Sequence, residues 1–236
     1  MAEALVLLPG LMCDARLFGP QIAELSANMA VMVAPVTAGE RIEEIASSLL
    51  DLLPKRFALA GHDLGGVVAM ELLRRAPERI TRIALMSTHP LAETPNGAAD
   101  REPRIVRVRS GRLTDVMREE VPMSALAAGP QRGDVMHLVL DMAETLGGEV
   151  YMRQARALQR RRDQQGTLSK CKVPALVLCG AEDQISPVKR HSFMAELMPF
   201  ARLTVLDGVG HFPTLERPGR TTAALRAWMR QPLTVP

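Results

Sequence analysis

Six short segments of the chain are predominantly apolar at consecutive rather than alternate positions: residues 4–8, 29–34, 57–60, 80–86, 175–179 and 201–206. Each stops at turn-forming residues, such as Pro9-Gly10, Pro35, Gly61, Gly180 or Asp207-Gly208. Short continuous runs bounded in this way predict strands buried on both faces, the habit of a parallel sheet. Between them the periodicity changes. Ile42, Ile45, Ala46, Leu49, Leu50 and Leu53 repeat at helical spacing until Pro54, which predicts an amphipathic helix. Residues 65–75, closed before Pro77, and 217–230, with Trp228 on the apolar side, predict two more. Strand alternating with helix defines an α/β fold with a mostly parallel six-stranded sheet and helices on both faces.

Residues 91–168 interrupt that alternation. They are rich in Arg, Glu and Met and carry helical patterns such as Val135, Leu138, Val139 and Met142. The expected organisation is a core from 1–90 and 169–236, with 91–168 as a small helical cap inserted between the fourth and fifth strands. A chain of 236 residues that is 47% hydrophobic is long enough for such a core. Only 3% of residues are aromatic and 14 are Met, so aliphatic side chains must build it. Met117, Met123, Met136, Met142 and Met152 are read as packing the insertion against the core.

Net charge of +3 is no signature of nucleic-acid binding. The Arg160-Arg161-Arg162 run reads as a solvated helix face. Cys13, Cys171 and Cys179 include no CxxC pair and read as reduced thiols of a cytoplasmic protein. The first ten residues lack a basic leader and are too short for a signal peptide or span, and no other stretch reaches spanning length without a charge. No HExxH, His-x-His or glycine-rich phosphate loop is present, so neither metal nor cofactor is expected. The expected partner is a small-molecule substrate, with neither nucleic acid nor membrane; the oligomeric state is not visible.

The most informative stretch is Gly61-His62-Asp63-Leu64-Gly65-Gly66, where a predicted strand runs straight into a predicted helix. A Gly-x-Asp-x-Gly turn of this kind has the shape of the nucleophile elbow Gly-x-Ser-x-Gly. The turn strains its central residue, demands glycine on either side, and aims the central side chain out at the carboxyl end of the sheet. Its place at a helix N-terminus favours a negative charge.

Four further blocks follow the same order: Leu7-Leu8-Pro9-Gly10, Arg75-Ala76-Pro77-Glu78-Arg79-Ile80, the stretch from Val173 to Asp183, and Gly208-Val209-Gly210-His211-Phe212-Pro213. Together they make the chain similar to the α/β-hydrolase superfamily over nearly its whole length. The resemblance implies that Asp63 is the nucleophile, Asp183 the acid that orients the histidine, and His211 the base. It also implies an oxyanion hole from the N–H of Leu64 and that of Leu11 or Met12. Read as residues alone, Asp63 and Asp183 also suit helix caps and His211 a loop position. His62 is read as a structural residue beneath the turn, His137 and His191 as surface residues, and His89, at the end of the fourth predicted strand, as a surface residue in preference to one facing the pocket.

Most members of the superfamily carry Ser or Cys at the elbow, and aspartate changes the chemistry. A carboxylate attacking saturated carbon yields an alkyl ester, which histidine-activated water then cleaves at the ester carbonyl. The resemblance therefore points to epoxide hydrolases and dehalogenases, although Leu64 stands where haloalkane dehalogenases place Trp. Epoxide hydrolases use two insertion tyrosines, and this chain has only Tyr151. For a carboxylate clamp of the haloacid type, Arg104 and Arg107 are the candidates. The other blocks read more like small esterases and lactonases, so two alternatives stay open. One is an esterase scaffold in which Asp63 replaces serine; the other is a binding module without chemistry.

Overall fold

The computed structural model describes residues 3–233. Its sheet has six strands: β1 (Leu5–Leu8), β2 (Val31–Val33), β3 (Phe57–His62), β4 (Ile80–Met86), β5 (Ala175–Gly180) and β6 (Ala201–Leu206). The order is β2-β1-β3-β4-β5-β6, and every adjacent pair is parallel. Side chains alternate between two cores. Leu5, Leu7, Ala58, Ala60, Leu176 and Leu178 enter one, while Val6, Leu8, Phe57, Leu59, Ala175 and Val177 enter the other. Apolar residues are needed on both faces, which is why these runs show no period of two. The exceptions are β2 and β6, which form the two edges of the sheet and are only part-buried.

The second core is covered by α2 (Ile42–Leu50), α3 (Leu64–Arg75) and α9 (Val188–Leu197). The first is covered in part by α1 (Gly19–Leu25) and α11 (Pro218–Met229). Helix α1 shows no helical periodicity in the sequence because Gly and Pro open its short run. Helix α2 ends sooner than its periodicity predicts, at Leu50, with Leu53 buried in the turn that follows.

Five helices lie between β4 and β5: α4 (Pro95–Arg109), α5 (Leu113–Glu120), α6 (Arg132–Leu146), α7 (Gly148–Gln159) and α8 (Gln165–Leu168). This segment is tied to loops at the carboxyl ends of the strands. Gln154 on α7 accepts the Met12 N–H after β1 and donates to the Val36 carbonyl after β2. The His211 N–H, beyond β6, donates to the Ala125 carbonyl at 2.8 Å. Met117, Met136, Met142 and Met152 sit in the core, whereas Met123 is exposed. Among the described residues no helix is long and apolar enough to cross a membrane.

Candidate functional site

Strand β3 passes into α3 through Asp63, whose φ of 46° and ψ of −114° lie in a sparsely populated region. The strain is tolerable only where the surroundings over-determine it. The Asp63 N–H donates to the Met86 carbonyl at 3.0 Å and the Thr88 hydroxyl to the Asp63 carbonyl at 2.9 Å. A Cβ at Gly61 would fall on the backbone of Gly65, and one at Gly65 on the Leu8 carbonyl. Gly66 packs in turn against Thr88. This close approach of β1, β3 and α3 is the physical demand behind the glycines of the turn.

The Asp63 carboxylate does not cap its own helix. Its Oδ2 accepts the Leu11 N–H at 3.0 Å, and the Leu64 N–H lies near enough to help hold the carboxylate ionised. Burial works to raise its pKa, but the charges of His211 and His62 and these two amides hold it below the usual carboxylate range. Of the two candidates after β1, Leu11 is therefore the one that faces Asp63. Met12 is turned away at φ 52°, its N–H donating to Gln154 Oε1 at 2.9 Å.

His211 and Asp183 come from the loops after β6 and β5. His211 Nδ1 lies 3.0 Å from each Asp183 oxygen. Asp183 Oδ1 also accepts the Ile185 and Ser186 N–H groups at 2.9 and 2.8 Å. Burial opposes ionisation of Asp183, but His211 and these donors keep its pKa low. Burial likewise pushes His211 down, and Asp183, Asp63 and Glu216 more than reverse this, leaving it above the ordinary imidazole value. His62 lies beneath the turn, as its sequence position suggests. Its ring stacks on Phe212 at 5.3 Å and its Nε2 donates to the His211 carbonyl at 2.8 Å. Burial and the His211 charge hold His62 down at about 4.

Asp63, His62, His211 and Leu11 share a cavity of about 70 Å³ with Arg101 and Glu120, room for two or three water-sized groups, each about 30 Å³. A wider recess of about 260 Å³ adjoins it, sharing Asp63, Arg101, Leu158 and Ile185. Cys13 also lines the inner cavity, where burial and the Asp63 charge raise its thiol well above the usual value and keep it protonated. A larger groove, about 520 Å³, lies between Leu25, Met29 and Arg226, away from all of these groups.

Several expectations need correction. Tyr151 is fully buried and is not a wall of either space; its hydroxyl donates to Glu120 Oε1 at 2.6 Å. Arg104 and Arg107 are paired with Glu120 and Glu119, and the insertion arginine that reaches the cavity is Arg101. His89 and His191 are buried, not surface residues. His191 Nε2 accepts the Thr88 N–H at 3.1 Å, bracing the loop after β4. Within the Arg160–Arg162 run, Arg161 turns inward and lines the recess.

Two site residues carried no sequence signal. Glu216, on α10 (Pro213–Glu216), is buried and accepts N–H groups from Ala127, Gly210 and Phe212 at 2.8, 2.9 and 2.9 Å. It pins the chain on either side of His211. Arg101 sits within a helix whose charged residues look alike in sequence. Among the described residues no group of His, Cys, Asp and Glu side chains is gathered that could hold a metal ion. The three cysteines are free and buried.

A part-buried carboxylate on a strand-to-helix turn, with an acid–histidine pair from the loops beyond the fifth and sixth strands of a parallel sheet, is the layout of an α/β hydrolase. Residues 5–225 match the alpha/beta hydrolase family, and the chain belongs to it; the protein is a hydrolase. It is 28% identical over 197 residues to a pimeloyl-[acyl-carrier protein] methyl ester esterase of Aromatoleum aromaticum, covering 76% of each chain. Among solved structures it is similar to a thermophilic esterase from Thermogutta terrifontis, with a TM-score of 0.89 and 26% identity over 98% of this chain and 91% of that one. An enol-lactonase from Burkholderia xenovorans shares the fold, with a TM-score of 0.86 and 23% identity over 98% and 92% of the two chains.

Proposed function

We propose that the protein hydrolyses a small organic substrate through an ester formed on Asp63, with His211 as base and Asp183 as the group that orients it. The observation that carries this reading is the place of the Asp63 carboxylate. One oxygen already accepts the Leu11 amide at 3.0 Å, and the Leu64 amide beside it favours the same charge. In a serine hydrolase such a pair of donors receives the oxygen of the substrate. With a carboxylate nucleophile the ester carbonyl belongs to the enzyme, so the same donors must hold an oxygen of Asp63 itself.

The steps follow from that placement. An oxygen of Asp63 attacks a saturated carbon, and the leaving group departs with the bonding pair as halide or as the opened oxygen of a strained ring. Arg101 lines the cavity with a buried Nη1 that makes no hydrogen bond and has only the looser ion pair with Glu120 at 3.8 Å, and is placed to receive the departing anion. Water then attacks Cγ of the Asp63 ester as His211 Nε2 takes its proton. Negative charge develops on the oxygen held by Leu11 and Leu64. Collapse expels the alcohol, which takes the proton back from His211. The Asp63 carboxylic acid left behind gives up the second proton of the water through His211, to solvent when the leaving group was halide or to the opened-ring oxygen when it was an epoxide, and returns to carboxylate.

The test compares the protein with Asp63→Ser on activated esters, small epoxides and haloacids, and weighs intact His211→Ala after exposure to each. Turnover of an epoxide or haloacid by the original alone, with a stable adduct on Asp63 in His211→Ala, is the expected result. Ester hydrolysis by the serine variant alone, with no adduct on Asp63, would transfer the protein to the second reading, an esterase scaffold with a replaced nucleophile. That reading draws on the similarity to proteins named as esterases.

A further inference from the structure

The recess beside the inner cavity has an unusual wall. His89, buried near the start of the loop after β4, has its Nε2 3.1 Å from Arg161 Nη2 and 2.9 Å from Arg190 Nη1. A guanidinium only donates. His89 Nε2 therefore carries the lone pair and Nδ1 the hydrogen, so the imidazole between the two cations is neutral. Its burial and the two guanidiniums hold its pKa down at about 3. His89 Nδ1 and Arg161 Nε are both buried without a hydrogen-bond partner.

Two like charges are thus drawn together by a neutral acceptor in a place where a carboxylate would be the ordinary choice. Glu93 answers part of the charge, lying 3.1 Å from Arg101 and 3.5 Å from Arg161. No carboxylate of the described residues pairs with Arg190. The recess walls carry Arg101, Arg161 and Arg190 against Glu93 and Asp63, and Asp63 is already held by backbone amides. Arg161 has only 10% of its side chain exposed, so its charge is poorly screened by water.

We propose that this recess receives the carboxylate of an anionic substrate, with Arg161 and Arg190, bridged by His89, as its donors. The inference rests on Asp63 as the reacting group and names its substrate class: a short-chain carboxylic acid whose electrophilic carbon is bonded to the carboxylate or lies within a few bonds of it. The anion supplies the missing partner of the bracket, and the volume of about 260 Å³ suits a short chain. Neutral His89 sets the spacing of the guanidiniums without competing for the charge.

Binding and chemistry are read separately. Propionate and glutarate are titrated into the protein by calorimetry, with propionamide as the neutral control. Arg190→Gln and Arg161→Gln should each weaken carboxylate binding about tenfold or more, the scale of a charge-assisted contact; exposed Lys189→Gln should leave it unchanged. Asp63→Asn should tighten it by removing the opposing charge. Propionamide binding as well as propionate, or carboxylate binding untouched in both arginine variants, would overturn the proposal. Because Arg190 lies at the protein surface edge, part-exposed, its variant is the one expected to fold normally. Adduct formation on Asp63 is then followed with 2-bromopropionate and 2-bromopropionamide. Equal rates for acid and amide would refute the carboxylate receptor while leaving Asp63 as nucleophile. No adduct with either, alongside arginine-dependent carboxylate binding, would uphold the receptor and refute the nucleophile.

Discussion

Glu216 offers the sharpest test of how the histidine loop is held. Its carboxylate accepts backbone N–H groups at Gly210 and Phe212, on either side of His211, and a third at Ala127 from the helical insertion. Glu216→Gln keeps the shape but turns one acceptor into a donor. With the remaining oxygen on Ala127 and Gly210, the new amide meets the Phe212 N–H. Leaving that buried N–H unpaired costs about 1–3 kcal/mol, and the two surviving bonds, no longer charge-assisted, weaken by about 0.5–1 kcal/mol each. The expected loss is about 2–5 kcal/mol, a large part of a typical folding free energy of about 5–15 kcal/mol. Urea unfolding, with the slope unchanged and the midpoint lowered, reads it directly. A second readout is chemical. Glu216 is one of the charges that raise the His211 pKa, so its neutralisation should move the acid limb of the rate profile to lower pH. A loss below about 1 kcal/mol together with an unmoved acid limb would refute the idea that this carboxylate pins the loop.

Other consequences follow from the same geometry. Asp183→Asn should reduce turnover by about three to four orders of magnitude with little change in fold, because the amide cannot stabilise protonated His211; a loss of only a few-fold in steady-state kinetics would place the acid elsewhere. Gly65→Ala should prevent normal folding, since the added methyl falls on the Leu8 carbonyl; a soluble variant with wild-type thermal stability would contradict the packing of β1 against α3. The pH behaviour has a definite sign. Asp63 stays ionised below its ordinary value while His211 is protonated already above its own. At about pH 5 the ester should therefore form but not hydrolyse, and a jump to about pH 8 should clear it. Mass spectrometry of quenched samples showing no adduct at the lower pH, with turnover intact, would count against a histidine base.

Much of the architecture could be read along the chain because it depends on short-range constraints. A strand covered on both faces must be continuously apolar, and a turn as tight as the one at Asp63 must have glycine on either side. The order of Asp63, Asp183 and His211 could be read for the same reason, each lying in a loop directly after a predicted strand. Edge strands β2 and β6 were read from the same pattern, yet they are only part-buried, because position within a sheet is not encoded in a strand's own residues.

What only the tertiary structure decided is which polar groups face one another across distant segments. Nothing near Leu11 and Met12 in sequence says which N–H turns to Asp63; Gln154, far along the chain, settles it by taking the Met12 N–H. Tyr151 was a natural donor by type, but Glu120 on another helix takes its hydroxyl. Arg101 and Arg161 look like any charged residues on helices, and His89 like a surface histidine, until the folding of the insertion onto the strand ends brings them to Asp63. Sequence determines the period and the turn, which are local. Long-range pairing of charges and hydrogen bonds is set by where helices come to rest, and here that alone decides what the site can bind.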